Sequence, residues 1–237
     1  MTIRRGSYGS DVTALQVLLA TLGFYEGAVD GRFGPMTDAA VRAYQKHVGF
    51  VVDGIVGPKT RSALFGISDP PFSALSGYER ERVFGKFAFV PHPAPNRSGH
   101  PIEILGNWES ENIVLVEVPE LIGVKGFAKS GKIRMHKKME RAFLGFIREA
   151  AKNGSLKLLN TWDGLYYPRY VRGSLTSLSN HSWGTAFDVN AGTNPLGKRN
   201  DELADFAQTG YKYGFFWGNA FSNRPDPMHF EWTGKDE

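Results

Sequence analysis

A pattern that occurs twice near the N-terminus constrains the fold of the first part of the chain. Residues 29–37 read Val-Asp-Gly-Arg-Phe-Gly-Pro-Met-Thr, and residues 52–60 read Val-Asp-Gly-Ile-Val-Gly-Pro-Lys-Thr. In both copies Asp-Gly favours a turn, and the later proline suits the first position of a helix, where its missing N–H removes no hydrogen bond. The repeat therefore predicts two helices that begin in the same way, at Pro35 and at Pro58.

A further helix is predicted ahead of the repeat. Ser10 is a suitable N-cap residue, because its hydroxyl can accept a hydrogen bond from the first turn, and Gly23 is a suitable stop. The apolar residues between them recur at helical spacing, at Val12, Leu15, Leu18, Leu19 and Leu22. We therefore expect residues 1–66 to form a small domain of three helices.

Residues 6–65 resemble the type 1 peptidoglycan-binding domain. The resemblance rests on the repeat, on the leading helix and on the pair Tyr44-Gln45. It implies a module that binds the peptidoglycan of a cell wall and carries out no chemistry of its own. The glycines and prolines of the repeat are interpreted as residues that shape turns.

Composition places the chain among ordinary globular proteins and excludes cysteine chemistry. Of its 237 residues, 41% are hydrophobic and 22% are charged, which allows one large domain or two smaller ones. The net charge of +4 favours anionic partners, either cell-wall polymers or nucleic acid. The sequence has no cysteine, which excludes disulfides, thiolate catalysis and zinc held by cysteine.

The N-terminal residues 1–5 lead into a polar turn and lack the apolar stretch of a secretion signal. No apolar run elsewhere is long enough to span a bilayer. The sequence therefore predicts a protein that does not insert into membranes, and that needs another factor if it acts outside the cytoplasm.

A short stretch rich in proline and serine separates the helical domain from the rest of the chain. Residues 67–80 are predicted to be a linker, and residues 81–237 a second domain. Strands are predicted over 87–91, 102–105 and 113–118, and a helix over 133–153. This order predicts an α+β fold, with a central antiparallel sheet flanked by helices.

Two of the six histidines lie near carboxylates in segments that resemble strands. Apolar and polar residues alternate over 185–190, so the side chain of Asp188 should point away from the core. The same alternation over 229–232 should direct the side chain of His229 away from the core. If these strands pair, Asp188 and His229 converge, with His181 a few residues upstream. The other histidines are interpreted as surface or core residues without a function: His47, His92, His100 and His136.

Two histidines and one carboxylate make a nitrogen and oxygen site suited to zinc, with a fourth position left for water. We therefore expect His181, Asp188 and His229 to bind Zn²⁺, which lowers the pKa of its bound water to about 7. Asp226 precedes His229 closely and is expected to handle the proton. Non-haem iron oxygenases use the same ligand set with closer spacing, and remain an alternative.

The second domain also resembles a family, over about residues 85–232. The motif is Ser179, His181 and Asp188, followed by Asp226 and His229. It is similar to that of the zinc D-Ala-D-Ala carboxypeptidases and L-Ala-D-Glu endopeptidases, which include phage endolysins and are related to the hedgehog signalling domain. The resemblance implies that the two histidines and Asp188 bind zinc, that Asp226 is the general acid/base and that Ser179 binds substrate.

Two arginines and an aromatic segment complete the candidate substrate site. The family has an arginine near the substrate in the segment that corresponds to 166–174, where Arg169 is our first choice and Arg172 the second. A guanidinium is planar and permanently charged, and its N–H groups can bind a peptide carboxylate or an oxyanion. Trp217, in the aromatic segment 214–218, is predicted to form part of a pocket wall.

Together these features predict a monomeric hydrolase that resembles a phage endolysin and acts on peptidoglycan, and not on nucleic acid. We expect L-Ala-D-Glu endopeptidase activity. The alternatives are D-Ala-D-Ala carboxypeptidase activity and a zinc-containing wall-binding protein without catalysis. The protein is expected to be made in the host cytoplasm and to act on the cell wall, in the periplasm, after its release.

Overall fold

The computed structural model describes residues 3–65, 72–92 and 100–235, which fall into two compact units, Met1–Asp69 and Pro70–Glu237. The predicted linker over 67–80 lies partly outside the described residues. Its end does not continue as a linker, because residues 77–80 begin a helix of the second unit.

The described residues of the first unit form three helices, α1 (Ser10–Thr21), α2 (Pro35–His47) and α3 (Pro58–Phe65). The helices α2 and α3 begin at the prolines of the repeat, as predicted. The N-cap prediction was wrong by one position: Gly9 is the N-cap residue of α1, and no side chain caps this helix. Val12, Leu15 and Leu19 of α1 pack into one apolar core with Val41 and Tyr44 of α2.

The repeat builds two matching networks, each centred on a buried glutamine. Gln16 on α1 donates from Nε2 to Asp30 Oδ1 at 2.9 Å and accepts from the backbone N of Gly31 at 2.9 Å. Gln45 on α2 makes the same two bonds with the second copy, to the aspartate at 2.8 Å and from the glycine at 2.9 Å. Each Asp-Gly turn is therefore tied to the preceding helix through a side-chain amide.

The second unit begins with α4 (Gly77–Phe84), which opens with a capping box between Ser76 and Glu79. Two antiparallel strand pairs follow, β1 (Ala88–Pro91) with β2 (Ile102–Leu105) and β3 (Ile113–Glu117) with β4 (Lys132–His136), and the short helix α5 (Trp108–Asn112) precedes β3. β1, β2 and β3 lie within a residue or two of the predicted strands, whereas residues 133–136 of β4 were predicted to be helical.

The remainder of the unit is a four-stranded antiparallel sheet with two helices. The strands are β5 (Trp162–Gly164), β6 (Ala186–Val189), β7 (Phe215–Trp217) and β8 (His229–Trp232), in the order β5-β6-β8-β7. The helices are α6 (Glu140–Asn153) and α7 (Ala204–Tyr211). The predicted α+β class, with an antiparallel sheet beside helices, is confirmed.

Aromatic side chains hold the sheet and helix α6 together. Phe187 on β6 and Phe230 on β8 are register partners, and their rings stack at 5.2 Å on one face of the sheet. Phe143 and Phe146 of α6 contact Phe187 at 5.5 and 6.3 Å between ring centroids. Because side chains alternate along a strand, this packing directs the intervening residues of β6 and β8 to the opposite face.

The helix predicted over 133–153 begins later than expected, at Glu140, and residues 132–136 form β4 instead. Ile133 and Met135 are two residues apart, which fits the alternation of a strand as well as the start of an amphipathic helix. Pairing with β3 makes residues 132–136 a strand. Within the described part of the chain, every helix is too short or too polar to cross a bilayer.

Candidate metal centre and active site

Strand pairing brings Asp188 and His229 together. The two residues are register partners in β6 and β8, and they lie on the face opposite to the aromatic core. His229 Nδ1 is 2.9 Å from Asp188 Oδ1. The convergence predicted from the alternating pattern is therefore present.

His181 reaches the same place from a turn and not, as predicted, from a strand. Residues Asn180–Trp183 form a 3-10 turn, which ends at Gly184 with a φ of 66°. Glycine suits this position because its conformation is left-handed and because a Cβ would lie 3.0 Å from the backbone N of His136. His181 Nδ1 donates to the carbonyl oxygen of Leu165 at 2.7 Å, which directs Nε2 towards Asp188.

His181, Asp188 and His229 each offer one ligand atom, and these atoms all lie within 4.8 Å of one another. His181 Nε2 is buried and makes no hydrogen bond to any described residue, although Asp188 Oδ2 is 3.3 Å away. A buried nitrogen without a hydrogen bond is costly unless something else satisfies it. Two imidazoles and one carboxylate are a ligand set of catalytic zinc sites, so these residues fit a zinc ion.

Asp188 and the two histidines interact electrostatically, and this interaction shifts the pKa values of Asp188 and His229. Burial by itself would raise the pKa of Asp188, but the two histidines outweigh it and hold the pKa well below its usual range. Burial lowers the pKa of His229, but hydrogen bonds to Asp188 and Glu231 overcome this effect and raise the pKa to about 10. The carboxylate at the centre is thus ionised, as a metal ligand must be.

Asp226 lies beside this trio and is fixed by its backbone. Its N donates to the carbonyl of Gly218 at 2.9 Å, and its own carbonyl accepts from the N of His229 at 3.0 Å. Burial, with a contribution from Asp188, raises the pKa of Asp226 against the attraction of His229. Its Oδ1 is buried and has no hydrogen bond among the described residues. A carboxyl group with a raised pKa and a free oxygen is suited to proton transfer.

The predicted arginines and serine line the same cavity of about 250 Å³ as the metal trio and Asp226. Arg169 is half-buried, and burial lowers the pKa of its guanidinium while the charges of Asp188 and Asp226 act in the opposite direction. Its backbone is tied to the His181 turn by Ser182, whose hydroxyl accepts from Arg169 N at 3.0 Å. Ser179 is buried at the cavity wall, whereas Arg172 is exposed at the rim.

The prediction for Trp217 was wrong. Its ring is 2% exposed, stacks on Phe230 at 6.0 Å and donates from Nε1 to the carbonyl of Pro227 at 2.7 Å. Trp217 and Phe230 are register partners in β7 and β8, so Trp217 shares the core face of the sheet. It does not line the cavity.

Other cavity residues were not anticipated from the sequence. Glu231 stands two residues after His229 on the same face of β8, where the alternation over 229–232 places it, but the sequence indicates no role for it. Arg224 adds a third guanidinium at the rim, and it has no local sequence signal. The apolar part of the wall consists of Val171, Leu196, Phe221 and Met228.

Comparison with known proteins divides the chain into the same two parts. Residues 8–64 match the family model described as a putative peptidoglycan binding domain, and residues 172–232 match the model described as D-alanyl-D-alanine carboxypeptidase. The second match contains all three candidate metal ligands and Asp226.

Similar curated proteins match over short stretches. An N-acetylmuramoyl-L-alanine amidase of Mycobacterium tuberculosis is 49% identical over 61 residues, which are 26% of this chain and 15% of that protein. A spore cortex-lytic enzyme of Halalkalibacterium halodurans is 47% identical over 62 residues, 26% of this chain and 19% of that protein. A zinc D-Ala-D-Ala carboxypeptidase of Streptomyces albus G is 40% identical over 73 residues, 29% of this chain and 28% of that protein. The chain thus spans less than a third of each of these relatives.

A solved structure of a Burkholderia AP3 phage endolysin is 39% identical, with a TM-score of 0.27, over 35% of this chain and 31% of that one.

Proposed function

We propose that this chain is a zinc-dependent peptidoglycan hydrolase that cleaves the stem peptide, because its residues match a peptidoglycan-binding domain and a peptidase domain of the D-alanyl-D-alanine carboxypeptidase type. The observation that carries the proposal is the convergence of His181, Asp188 and His229 in one cavity with the carboxyl group of Asp226. The wall-binding unit would raise the local concentration of substrate around the peptidase, so that even weak binding helps.

The metal ligands and Asp226 have separate roles. Zinc held by His181, Asp188 and His229 would acidify a water molecule and polarise the carbonyl of the scissile bond. Asp226, with its raised pKa and its free Oδ1, accepts the proton of the attacking water and delivers it to the leaving amine. Arg169 holds a carboxylate of the substrate or the oxygen that becomes negative during attack.

We favour cleavage between L-Ala and D-Glu, with cleavage between two D-Ala residues as the second candidate. The residue that carries the leaving amine has a free carboxylate in both cases, and the guanidinium groups of Arg169, Arg172 and Arg224 suit either. In many members of the family that the motif resembles the acid is glutamate, and the aspartate at position 226 is similar to the endolysin-like branch, which favours the endopeptidase. The description of the matching family model favours the carboxypeptidase.

Digestion of purified sacculi tests the proposal and distinguishes the two bonds. The endopeptidase releases fragments with D-Glu at the new N-terminus, and the carboxypeptidase releases free D-alanine, both of which mass spectrometry detects. Wild-type protein that binds zinc and releases neither product would favour the wall-binding protein without catalysis. Stoichiometric iron and a requirement for oxygen would favour an oxygenase.

The role of Asp226 is tested by Asp226→Asn, which keeps the size of the side chain and removes the proton-carrying group. We expect zinc content to remain and the rate of peptide release to fall by about 10²–10⁴-fold. Asp205→Asn changes an exposed aspartate of the same unit and is the matched control. An Asp226→Asn protein that digests sacculi at the wild-type rate would contradict the assignment.

The setting that we propose is that of an endolysin. The protein would act as a monomer, reach the wall from the host cytoplasm after a lesion forms in the membrane, and bind no nucleic acid. Added from outside, purified protein should therefore lyse cells whose outer membrane has been permeabilised and spare intact ones. Light scattering during size-exclusion chromatography measures the oligomeric state.

A further inference from the structure

Glu231 is a buried carboxylate in the cavity that the proposed chemistry does not use. Its side chain is 3% exposed and lies beside His229 on the face of β8 that points into the site. Its Oε2 is 3.3 Å from His229 Nε2 and accepts a hydrogen bond from the Asn180 side-chain amide. An ionised carboxylate at such a depth is costly unless a charge or hydrogen bonds compensate it.

Arg80 supplies the compensating charge from a distant part of the sequence. It lies on α4, is 7% exposed, and its Nη2 is 3.9 Å from Glu231 Oε1. The same Nη2 donates to the carbonyl of Leu75 at 2.8 Å, and the guanidinium lies over the ring of Trp183 at 5.5 Å. A backbone acceptor and an aromatic ring thus fix the arginine. The arginine in turn holds Glu231 beside Nε2 of His229.

The two nitrogens of His229 face two different carboxylates. Nδ1 faces Asp188 at 2.9 Å, and Nε2 faces Glu231 at 3.3 Å. The nitrogen by which a histidine binds metal is set by the hydrogen bond that the other nitrogen makes. His181 shows the opposite arrangement, because its Nδ1 is bound to the carbonyl of Leu165 and its Nε2 is free.

We propose that Glu231, anchored by Arg80 and Asn180, is a positioning residue that accepts the Nε2–H of His229 and thereby commits Nδ1 to the metal. This inference rests on the proposed zinc site. It implies that the two histidines bind zinc through different nitrogens, His181 through Nε2 and His229 through Nδ1. A carboxylate in this position also makes the imidazole a stronger metal ligand.

Zinc affinity of the full chain tests the inference without relying on activity. Competition with a chromogenic chelator should show that Glu231→Gln binds zinc about 10–100-fold more weakly than wild type. Glu117→Gln makes the same chemical change at a residue whose side chain is 72% exposed, and should bind zinc as wild type does. A Glu231→Gln protein whose affinity is within about twofold of wild type overturns the inference.

A second measurement uses the wild-type chain and does not depend on how the variant folds. Long-range ¹H–¹⁵N correlation spectra of the zinc-loaded protein report which nitrogen of each histidine carries the proton. We expect a protonated Nε2 at His229 and a protonated Nδ1 at His181. A proton on His229 Nδ1, with Nε2 bound to zinc, overturns the inference.

The two proposals fail in distinguishable ways. Wild-type protein that binds zinc with the expected tautomers but releases no peptide from sacculi refutes the proposed hydrolase and supports the role of Glu231. Wild-type protein that cleaves peptides with Glu231→Gln at full zinc affinity refutes the role of Glu231 alone. Failure of the wild-type protein to bind zinc refutes both.

Discussion

His136 is a buried histidine outside the candidate metal site, and its protonation should govern how the stability of the second unit responds to acid. The residue ends β4 and is 0% exposed, between the rings of Phe84 and Trp108. Its Nδ1 accepts from the backbone N of Lys138 at 3.1 Å, and its Nε2 is 3.3 Å from the carbonyl of Phe84. The neutral ring with its proton on Nε2 satisfies both contacts. A second proton, on Nδ1, would point at the backbone N–H of Lys138, which is also a donor, so this hydrogen bond would be lost.

The size of the effect follows from the shift in pKa. Burial, with smaller contributions from two lysines, lowers the pKa of His136 from 6.5 to about 4. Because the folded state holds this proton less tightly than the unfolded state, the stabilising contribution is complete above pH 6.5 and is lost as the pH falls towards 4. A change of one pKa unit corresponds to about 1.4 kcal/mol, so the loss is about 3 kcal/mol.

The backbone N of His136 donates to the carbonyl of Gly184 at 2.9 Å, at the end of the turn that carries His181. Acid should therefore loosen the candidate metal site together with the core around His136.

Urea unfolding of the full chain between pH 7.5 and 4, with a chelator present, measures this contribution. All five tryptophans belong to the second unit, so tryptophan fluorescence reports that unit alone. His136→Asn removes the titrating ring, and the free-energy advantage of wild type over this variant should shrink by about 3 kcal/mol across the range. His100→Asn changes an exposed histidine of the same unit and should follow the wild-type profile. An advantage of wild type that stays constant with pH would refute the reasoning.

Three further predictions concern the first unit, the proposed zinc site and the proposed substrate. Gln45→Ala should cost about 2–4 kcal/mol through a small cavity and an unsatisfied backbone N–H. Gln16→Ala should cost a similar amount because its network matches, and amide hydrogen exchange in the first unit measures both. Zinc affinity should rise about tenfold per pH unit from pH 6 to 8, because the pKa of His229 is about 10 and zinc must displace a proton; chelator competition yielding a flat profile would contradict this. Arg169→Met should lower the rate of peptide release far more than Arg172→Met, because only Arg169 is partly shielded from water; equal losses on sacculi would contradict this.

Local sequence patterns were sufficient to predict those parts of the structure that are determined by a few neighbouring residues. The repeated Asp-Gly turn followed by proline determines where α2 and α3 begin, since both residue types restrict the backbone directly. The alternation in β6 and β8 identifies the face on which Asp188 and His229 meet. These predictions succeeded because each rests on a periodicity or a backbone preference within a few residues.

The failures have a common cause in contacts between distant segments. Residues 132–136 fit a strand and a helix equally well, and only their pairing with β3 decides. The sequence predicts Trp217 in the cavity wall because large aromatic residues suit a pocket. Its pairing with Phe230 in the sheet directs the Trp217 side chain into the core instead. Arg80 lies in a segment predicted to be a linker, although the capping box of Ser76 and Glu79 is a local signal for the helix. Its role beside Glu231 depends on a contact across about 150 positions, which no local pattern encodes.

The protein's own contacts hold the candidate metal ligands in place, and this distinguishes the candidate site from structural zinc sites. Asp188 and His229 are set by strand pairing, and His181 by its bond to the carbonyl of Leu165. Where a fold supplies the geometry, little of the energy of metal binding is needed for folding, unlike in zinc fingers. Such a site can leave one coordination position open without losing its shape. The raised pKa of Asp226 is the second requirement for hydrolysis, and it too arises from burial that the fold provides. Under the proposed function, the same scaffold supplies the candidate metal ligands and the candidate proton carrier, the combination expected of a peptidase and not of a wall-binding protein with a structural metal.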